Sequence, residues 1–249
     1  MAELPTITVD KNNNNICNTD SNVLITVSNE SQSSVAGYIN NEGDNVTIRG
    51  GRGRDSIRNS GANLTMTDSG SSDTIHNTGD NASISSGAAN DSIYNAGDGA
   101  QIDAGQGNDV IRNNGVSVSI SGGTGNDHID NTGASVLIDA GENDDKILNN
   151  AGGSHTTVIG GAGADSIRNA ASFVTIDGGD DENTIRNDGE YVLIGGGDIS
   201  DSAGHDGYRR RQMAEIGVHN NGNAETPDGA GYRLVHIEAL LNLAVMEGP

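Results

Sequence analysis

Residues 122–139 read GGTGNDHIDNTGASVLID. A glycine-rich turn closes on Asp127 and leads into His128-Ile129-Asp130, where one apolar residue sits between two polar ones. A second turn, Asn131-Thr132-Gly133, then leads into Ser135-Val136-Leu137-Ile138. Val136 and Ile138 stand two apart and so share one face of a strand. These eighteen residues therefore read as two short strands and two turns, and the same order returns from residue 50 to residue 201.

The register holds over a long distance. Asp55, Asp73, Asp91, Asp109, Asp127 and Asp145 are eighteen residues apart; Asp165 follows after twenty, then Asn183 and Asp201 at eighteen again. The two extra residues fall within Asn150–Ser154, which places them in a turn. Two positions beyond each ladder residue from Asp55 to Asn183 comes Ile57, Ile75, Ile93, Ile111, Ile129, Ile147, Ile167 or Ile185, and two further comes Asn59, Asn77, Asn95, Asn113, Asn131, Asn149, Asn169 or Asn187. A period of this size marks a solenoid. One coil cannot bury its own apolar face, so coils must stack at the strand spacing of about 4.8 Å. The expected fold is all-β: a right-handed parallel β-roll or β-solenoid of 18-residue coils, about ten in number, with a small C-terminal helical or loop cap.

Residues 1–15 are expected to form an N-terminal cap strand, centred on Pro5–Val9, and residues 16–203 the roll, with calcium-type turns from about residue 50. An early coil carries roughly five extra residues near Ser28–Ser34, judged by register. Gly37 stands where later coils have aspartate. Residues 204–249 read as a C-terminal cap or tail, with a short amphipathic helix through Leu234, Ile237, Leu241 and Val245.

One Phe, no Trp, 33% hydrophobic residues and a net charge of -22 would ordinarily suit a disordered chain. The regular placement of the isoleucines overrules that prior, because a disordered chain has no reason to maintain it. The single cysteine, Cys17, excludes an internal disulfide framework and is expected to face outward from a strand. The acidic balance disfavours nucleic acid and anionic membranes as partners and favours cations. No stretch is long and apolar enough for a membrane span. The first residues carry no basic region followed by an apolar one, so export without a cleaved N-terminal signal is expected.

The glycine turns carry the chemistry. Gly122-Gly123-Thr124-Gly125-Asn126-Asp127 and Gly160-Gly161-Ala162-Gly163-Ala164-Asp165 are complete GGxGxD turns; Ala104–Asp109 lacks the first glycine but keeps Gly107. Glycine permits left-handed backbone conformations that aim carbonyl oxygens inward. Stacked coils bring successive aspartates to about 5 Å, where two carboxylates repel by roughly 1 kcal/mol in water and roughly 3 kcal/mol at an effective dielectric of 20. A hard divalent cation between turns removes that repulsion. Calcium, with six to eight oxygen ligands at about 2.3–2.6 Å, suits the spacing, whereas magnesium is smaller and stricter. Zinc is disfavoured because the turns offer neither His nor Cys.

These turns resemble the nonapeptides of the RTX, or haemolysin-type, calcium-binding repeat. The resemblance implies a parallel roll that folds on calcium outside the cell, as a structural or adhesive scaffold of a secreted or cell-surface bacterial protein. It places aspartate ligands at Asp55, Asp73, Asp91, Asp109, Asp127, Asp145, Asp165 and Asp201. This chain departs from the family in using Asn-x-Gly at every second turn, so ions are expected along one edge only. The turns ending at Asp73, Asp91 and Asp145 have lost glycines and Asn183 replaces an aspartate, so those sites are expected to be weaker or empty. The asparagine column is read as structural, its amides hydrogen-bonding along the stack. The last residues also differ from a typical type I secretion end.

No enzymatic activity is expected. His236-Ile237-Glu238 lacks the paired cysteines of a zinc deaminase, and His205-Asp206 among many serines carries no triad signal. The alternative reading is a polysaccharide-binding module attached to a carbohydrate-active enzyme. It rests on an outward column, Arg58, His76, Tyr94, Arg112, Asp130, Leu148, Arg168 and Arg186, in which Arg112, Arg168 and Arg186 could hold an acidic glycan. Against it, the arginines could simply answer Asp103, Asp139 and Asp177.

Overall fold

The structure is a computed structural model that describes residues 4–10, 14–27, 36–195 and 198–201. Among the described residues 22 strands form two parallel sheets of 11 strands each, one taking the odd-numbered strands and the other the even-numbered strands in chain order. Each coil thus contributes one strand to each sheet. The described residues contain no helix.

Register follows the sequence period. In the first sheet Ile84, Ile102, Ile120 and Ile138 pair in succession, and in the second Ile75, Ile93, Ile111, Ile129 and Ile147 do the same. Both isoleucine columns point inward and, with Val23, Val46, Leu64, Ala82, Ala100, Val118, Val136, Val174 and Val192, form a single core along the axis. Each fully buried isoleucine contributes about 1.5–3 kcal/mol. A chain with so few large apolar residues still folds because its inward isoleucines are placed where the coil above and the coil below cover them.

Thr6–Val9 pairs with Leu24–Val27 in register, so the N-terminal strand extends the first sheet and covers its end. Ile16 pairs with Ile39, and Ile25 with Ile48, at a separation of 23 residues, which matches five extra residues inserted once near residues 28–35. The later insertion is a turn at residues 151–155. Cys17 is exposed on its strand.

The last coil departs from the period. Asp198–Asp201 pairs with Thr184–Asn187, so Ile199 stacks beside Ile185, and Asp201 falls in register with Asn187 rather than with Asn183. The step from Ile185 to its partner is thus fourteen residues rather than eighteen. Asp201 is therefore not a member of the aspartate column, which corrects the expectation from spacing. Residues 202–249, which include His205, the arginine triplet, His236, Glu238 and the amphipathic stretch, lie outside the described residues.

Candidate metal site

The two edges of the coil are lined by two buried polar columns. On one, Asn18, Asn41, Asn59, Asn77, Asn95, Asn113, Asn131, Asn149, Asn169 and Asn187 are all buried. From Asn18 to Asn169 each Nδ2 donates to the Oδ1 of the next coil's asparagine, as from Asn77 to Asn95 (2.7 Å) and from Asn113 to Asn131 (2.9 Å). The same Nδ2 also donates to a carbonyl two residues on, as from Asn113 to Gly115 O (2.9 Å). The glycine there is needed for close approach: a Cβ on Gly115 would lie 2.0 Å from Gly97 O. This column satisfies itself.

On the other edge, Asp55, Asp73, Asp91, Asp109, Asp127, Asp145 and Asp165 are 1–2% exposed. Oδ1 of each accepts a backbone N–H from the coil before. Asp55 donates to Asp73 (2.6 Å), Asp91 to Asp109 (2.7 Å), Asp109 to Asp127 (2.8 Å) and Asp127 to Asp145 (2.7 Å). The other oxygen is left without a partner. Oδ2 of Asp73, Asp91, Asp109, Asp127, Asp145 and Asp165 is buried and accepts no hydrogen bond, whereas Asp55 Oδ2 receives the Gly51 N–H at 3.3 Å. A buried unsatisfied polar atom costs about 1–3 kcal/mol, and more when it is charged.

Asn183 shows what surrounds that atom. It keeps the ladder bond, accepting the Asp165 N–H at 2.8 Å, and its Nδ2, in the place of Oδ2, donates to the carbonyls of Asp180 (2.8 Å) and Asp181 (3.4 Å). An aspartate at the same position sets a carboxylate oxygen toward turn carbonyls, acceptor against acceptor. Such a site calls for a proton or a cation. Burial, the largest cause, accordingly pushes these carboxyls up from 3.8: to about 6 for Asp91 and Asp127 and to about 7 for Asp73 and Asp145. Asp55, Asp109 and Asp165 move in the same direction for the same first cause.

The turn backbone supports this arrangement whether or not glycine is present. Gly107, Gly125 and Gly163 have φ of 130°, 117° and 132°, and the residues replacing glycine at that position, Ser71, Ala89, Asn143 and Asp181, also have positive φ, at 77°, 76°, 82° and 66°. At this position a lost glycine therefore leaves φ positive, and stacking holds that conformation against a penalty of roughly 1–2 kcal/mol per residue. Gly123 and Gly161 are left-handed and tightly stacked, a Cβ on either lying 2.0 Å from the carbonyl of Gly105 or Gly141. At Gly122 and Gly160 a Cβ would lie 2.4 Å from Oδ2 of Asp127 or Asp165. The turns also bond to one another, with Gly107 N–H donating to Thr124 O (2.8 Å) and Gly125 N–H to Glu142 O (3.1 Å).

The donor set fits a hard cation: buried carboxylate oxygens beside backbone carbonyls, with neither His nor Cys among them. Reading from spacing found this column, but it passed over Asp68. Asp68 lies five residues before Asp73, and its oxygens approach those of Asp55 and Asp73 to within 4.8 Å. Burial and then the charge of Asp73 push its carboxyl up to about 8.

The outward column on the second sheet is also in place, with Arg58, His76, Tyr94, Arg112, Asp130, Leu148, Arg168 and Arg186 paired in that order. His76 stacks on Tyr94 with ring centroids 4.5 Å apart. The arginines do not answer Asp103, Asp139 or Asp177, which stand on strands of the other sheet. Asp188 instead pairs with Arg168 (3.6 Å) and Arg186 (3.4 Å). A second aromatic stack, missed in the sequence, runs along a turn edge: His155, Phe173 and Tyr191, with centroids 5.3 Å and 4.9 Å apart.

No protein-family model matches this chain, and neither a curated protein nor a solved structure is significantly similar to it. No helix among the described residues is long and apolar enough to cross a membrane.

Proposed function

We propose that the solenoid is a calcium-binding repeat module, akin to the RTX repeat it resembles, that completes its folding on calcium and serves as a structural or adhesive scaffold of a secreted or cell-surface protein. The observation that carries this reading is the row of buried Oδ2 atoms without partners on Asp73, Asp91, Asp109, Asp127, Asp145 and Asp165. A cation at that edge would face the carboxylates of successive coils and the turn carbonyls, and would relieve repulsion that otherwise grows with every coil. Extracellular calcium stands near the millimolar affinities of extracellular calcium modules, so location and occupancy would be coupled.

Equilibrium dialysis against calcium, with magnesium as competitor, tests the reading. Calcium should bind with several ions per chain and resist a tenfold excess of magnesium, which gives up its waters reluctantly. Absence of bound calcium at millimolar concentration would overturn it.

A second reading has one observation in its favour. On a chain of net charge -22, the outward column on the second sheet gathers Arg58, Arg112, Arg168 and Arg186 against a single carboxylate, Asp130. That strip would suit an acidic polysaccharide, with Arg58 and Arg112 the arginines not paired with Asp188. Glycan titration at constant calcium, with Arg112→Ala as control, separates this reading from a spacer role.

A further inference from the structure

The first position of each turn, five residues before the ladder residue, holds a small side chain in most coils: Gly50, Ser86, Ala104, Gly122, Ala140, Gly160 and Gly178. In the coil of Asp73 that position is Asp68. The neighbouring coil makes room for it, since a Cβ on Gly50 would lie 1.8 Å from Asp68 Oδ2 and 3.1 Å from Oδ1. Oδ1 of Asp68 is held by the Ser69 N–H at 2.6 Å. Its Oδ2 is buried without a partner, as is Oδ2 of Asp73, a residue 2% exposed. Asp55, 1% exposed, completes the group, and the ligating oxygens of all three lie within 4.8 Å of one another. Among the described residues no other group of three such side chains approaches this closely.

We propose that Asp55, Asp68 and Asp73 form a discrete divalent-cation site within the solenoid, with calcium its ion, and that it binds more tightly than the complete glycine turns at Asp127 and Asp165. The proposal rests on the calcium reading above and inverts the order that glycine content suggests. Affinity for calcium rises with the charge on the ligands and the rigidity of the site. Three carboxylates from adjacent coils meet here, whereas a gap elsewhere in the ladder is bordered by one aspartate from each coil. At the second residue before Asp73 glycine contributes little to the difference, because Ser71 already has positive φ there, as Gly125 and Gly163 do in their turns. The unpartnered Asp73 Oδ2 marks the point at which a positive charge is missing. An all-oxygen set disfavours zinc, and a buried site of this kind leaves little space for the waters magnesium retains.

Calorimetric calcium titration of the full chain, compared with Asp68→Asn, Asp68→Gly and Asp127→Asn, tests this. Asp68→Gly restores the residue found at Gly122 and Gly160, so one variant at least should keep the fold. Both Asp68 variants should weaken the first, tightest ion by at least tenfold while the later ions still bind; Asp127→Asn should leave the first ion unchanged. If the wild type binds calcium and neither Asp68 variant alters the first ion, the cluster is only a protonated acid group and the proposal is overturned. If no variant and no wild type binds calcium, the calcium reading itself fails, a different result from the first.

Discussion

The two edges of each coil carry side chains of nearly the same shape and bury them equally, yet they meet opposite fates. Asn113 gives its amide N–H to Asn131 Oδ1 and to Gly115 O and takes an N–H from Gly115 on its own Oδ1. Asp109, on the other edge, accepts one N–H at Oδ1 and nothing at Oδ2. An amide carries donor and acceptor together, so a column of amides closes on itself; a column of carboxylates holds acceptors only and stays incomplete. One edge is a finished structural seam, and the other has capacity for something positive.

Exchanging the two chemistries should give the largest effect. Asn113→Asp would remove both Nδ2 bonds and bury a carboxylate between two asparagines, at a cost of about 3 kcal/mol or more. Urea unfolding should show the loss with calcium as well as without it, because that edge offers a cation no second carboxylate.

The reverse exchange should have a smaller effect of opposite sign. Asp127→Asn copies the arrangement of Asn183, whose amide reaches the turn carbonyls. In chelator it should stabilise by about 1–2 kcal/mol, and the melting temperature should rise. In calcium the gain should shrink or reverse, since the variant forgoes a ligand.

The pH profile sharpens the same contrast. The ladder carboxyls are raised in the folded state, to about 6 at Asp127 and about 7 at Asp73 and Asp145, so the folded chain holds protons that the unfolded chain releases near 3.8. Stability from these groups is fully present below the unfolded value and is lost as pH rises through the folded values. In chelator the melting temperature should therefore fall between pH 4 and pH 8. With saturating calcium the fall at the upper end should flatten, because the cation takes over the role of the proton.

The smallest expected effect concerns glycine. Ser71→Gly would relieve a left-handed serine at φ 77° and should stabilise by about 1 kcal/mol. Calcium affinity should stay the same, because the turn is already in its conformation.

Much of this was legible in the residues because a solenoid repeats its environment: the isoleucine, asparagine and aspartate columns show in sequence as fixed steps and reappear in the structure as paired strands. What was not legible broke the step. Asp68 occupied a position reserved for small residues and looked like a lost glycine; only when Gly50, Ser86, Ala104 and Gly122 are aligned as a column does a carboxylate among them stand out. Asp201 kept the eighteen-residue spacing from Asn183, yet the last strand pairs it with Asn187. Where the third glycine is missing, stacked neighbours still hold Ala89 and Asn143 at positive φ, which the residue types alone do not announce. The aromatic stack of His155, Phe173 and Tyr191 hid among loop residues because earlier coils place Asn45, Asn63 and Asn81 at the same left-handed position.

Far-ultraviolet circular dichroism at pH 7.5, with chelator and then with added calcium, tests the central claim most directly. An unfinished aspartate edge predicts weak strand signal and a low melting temperature in chelator, both rising sharply at millimolar calcium and not with magnesium. Strand signal and melting temperature unchanged by chelator would contradict it, leaving the aspartate column as a buried acid seam with no need of a cation.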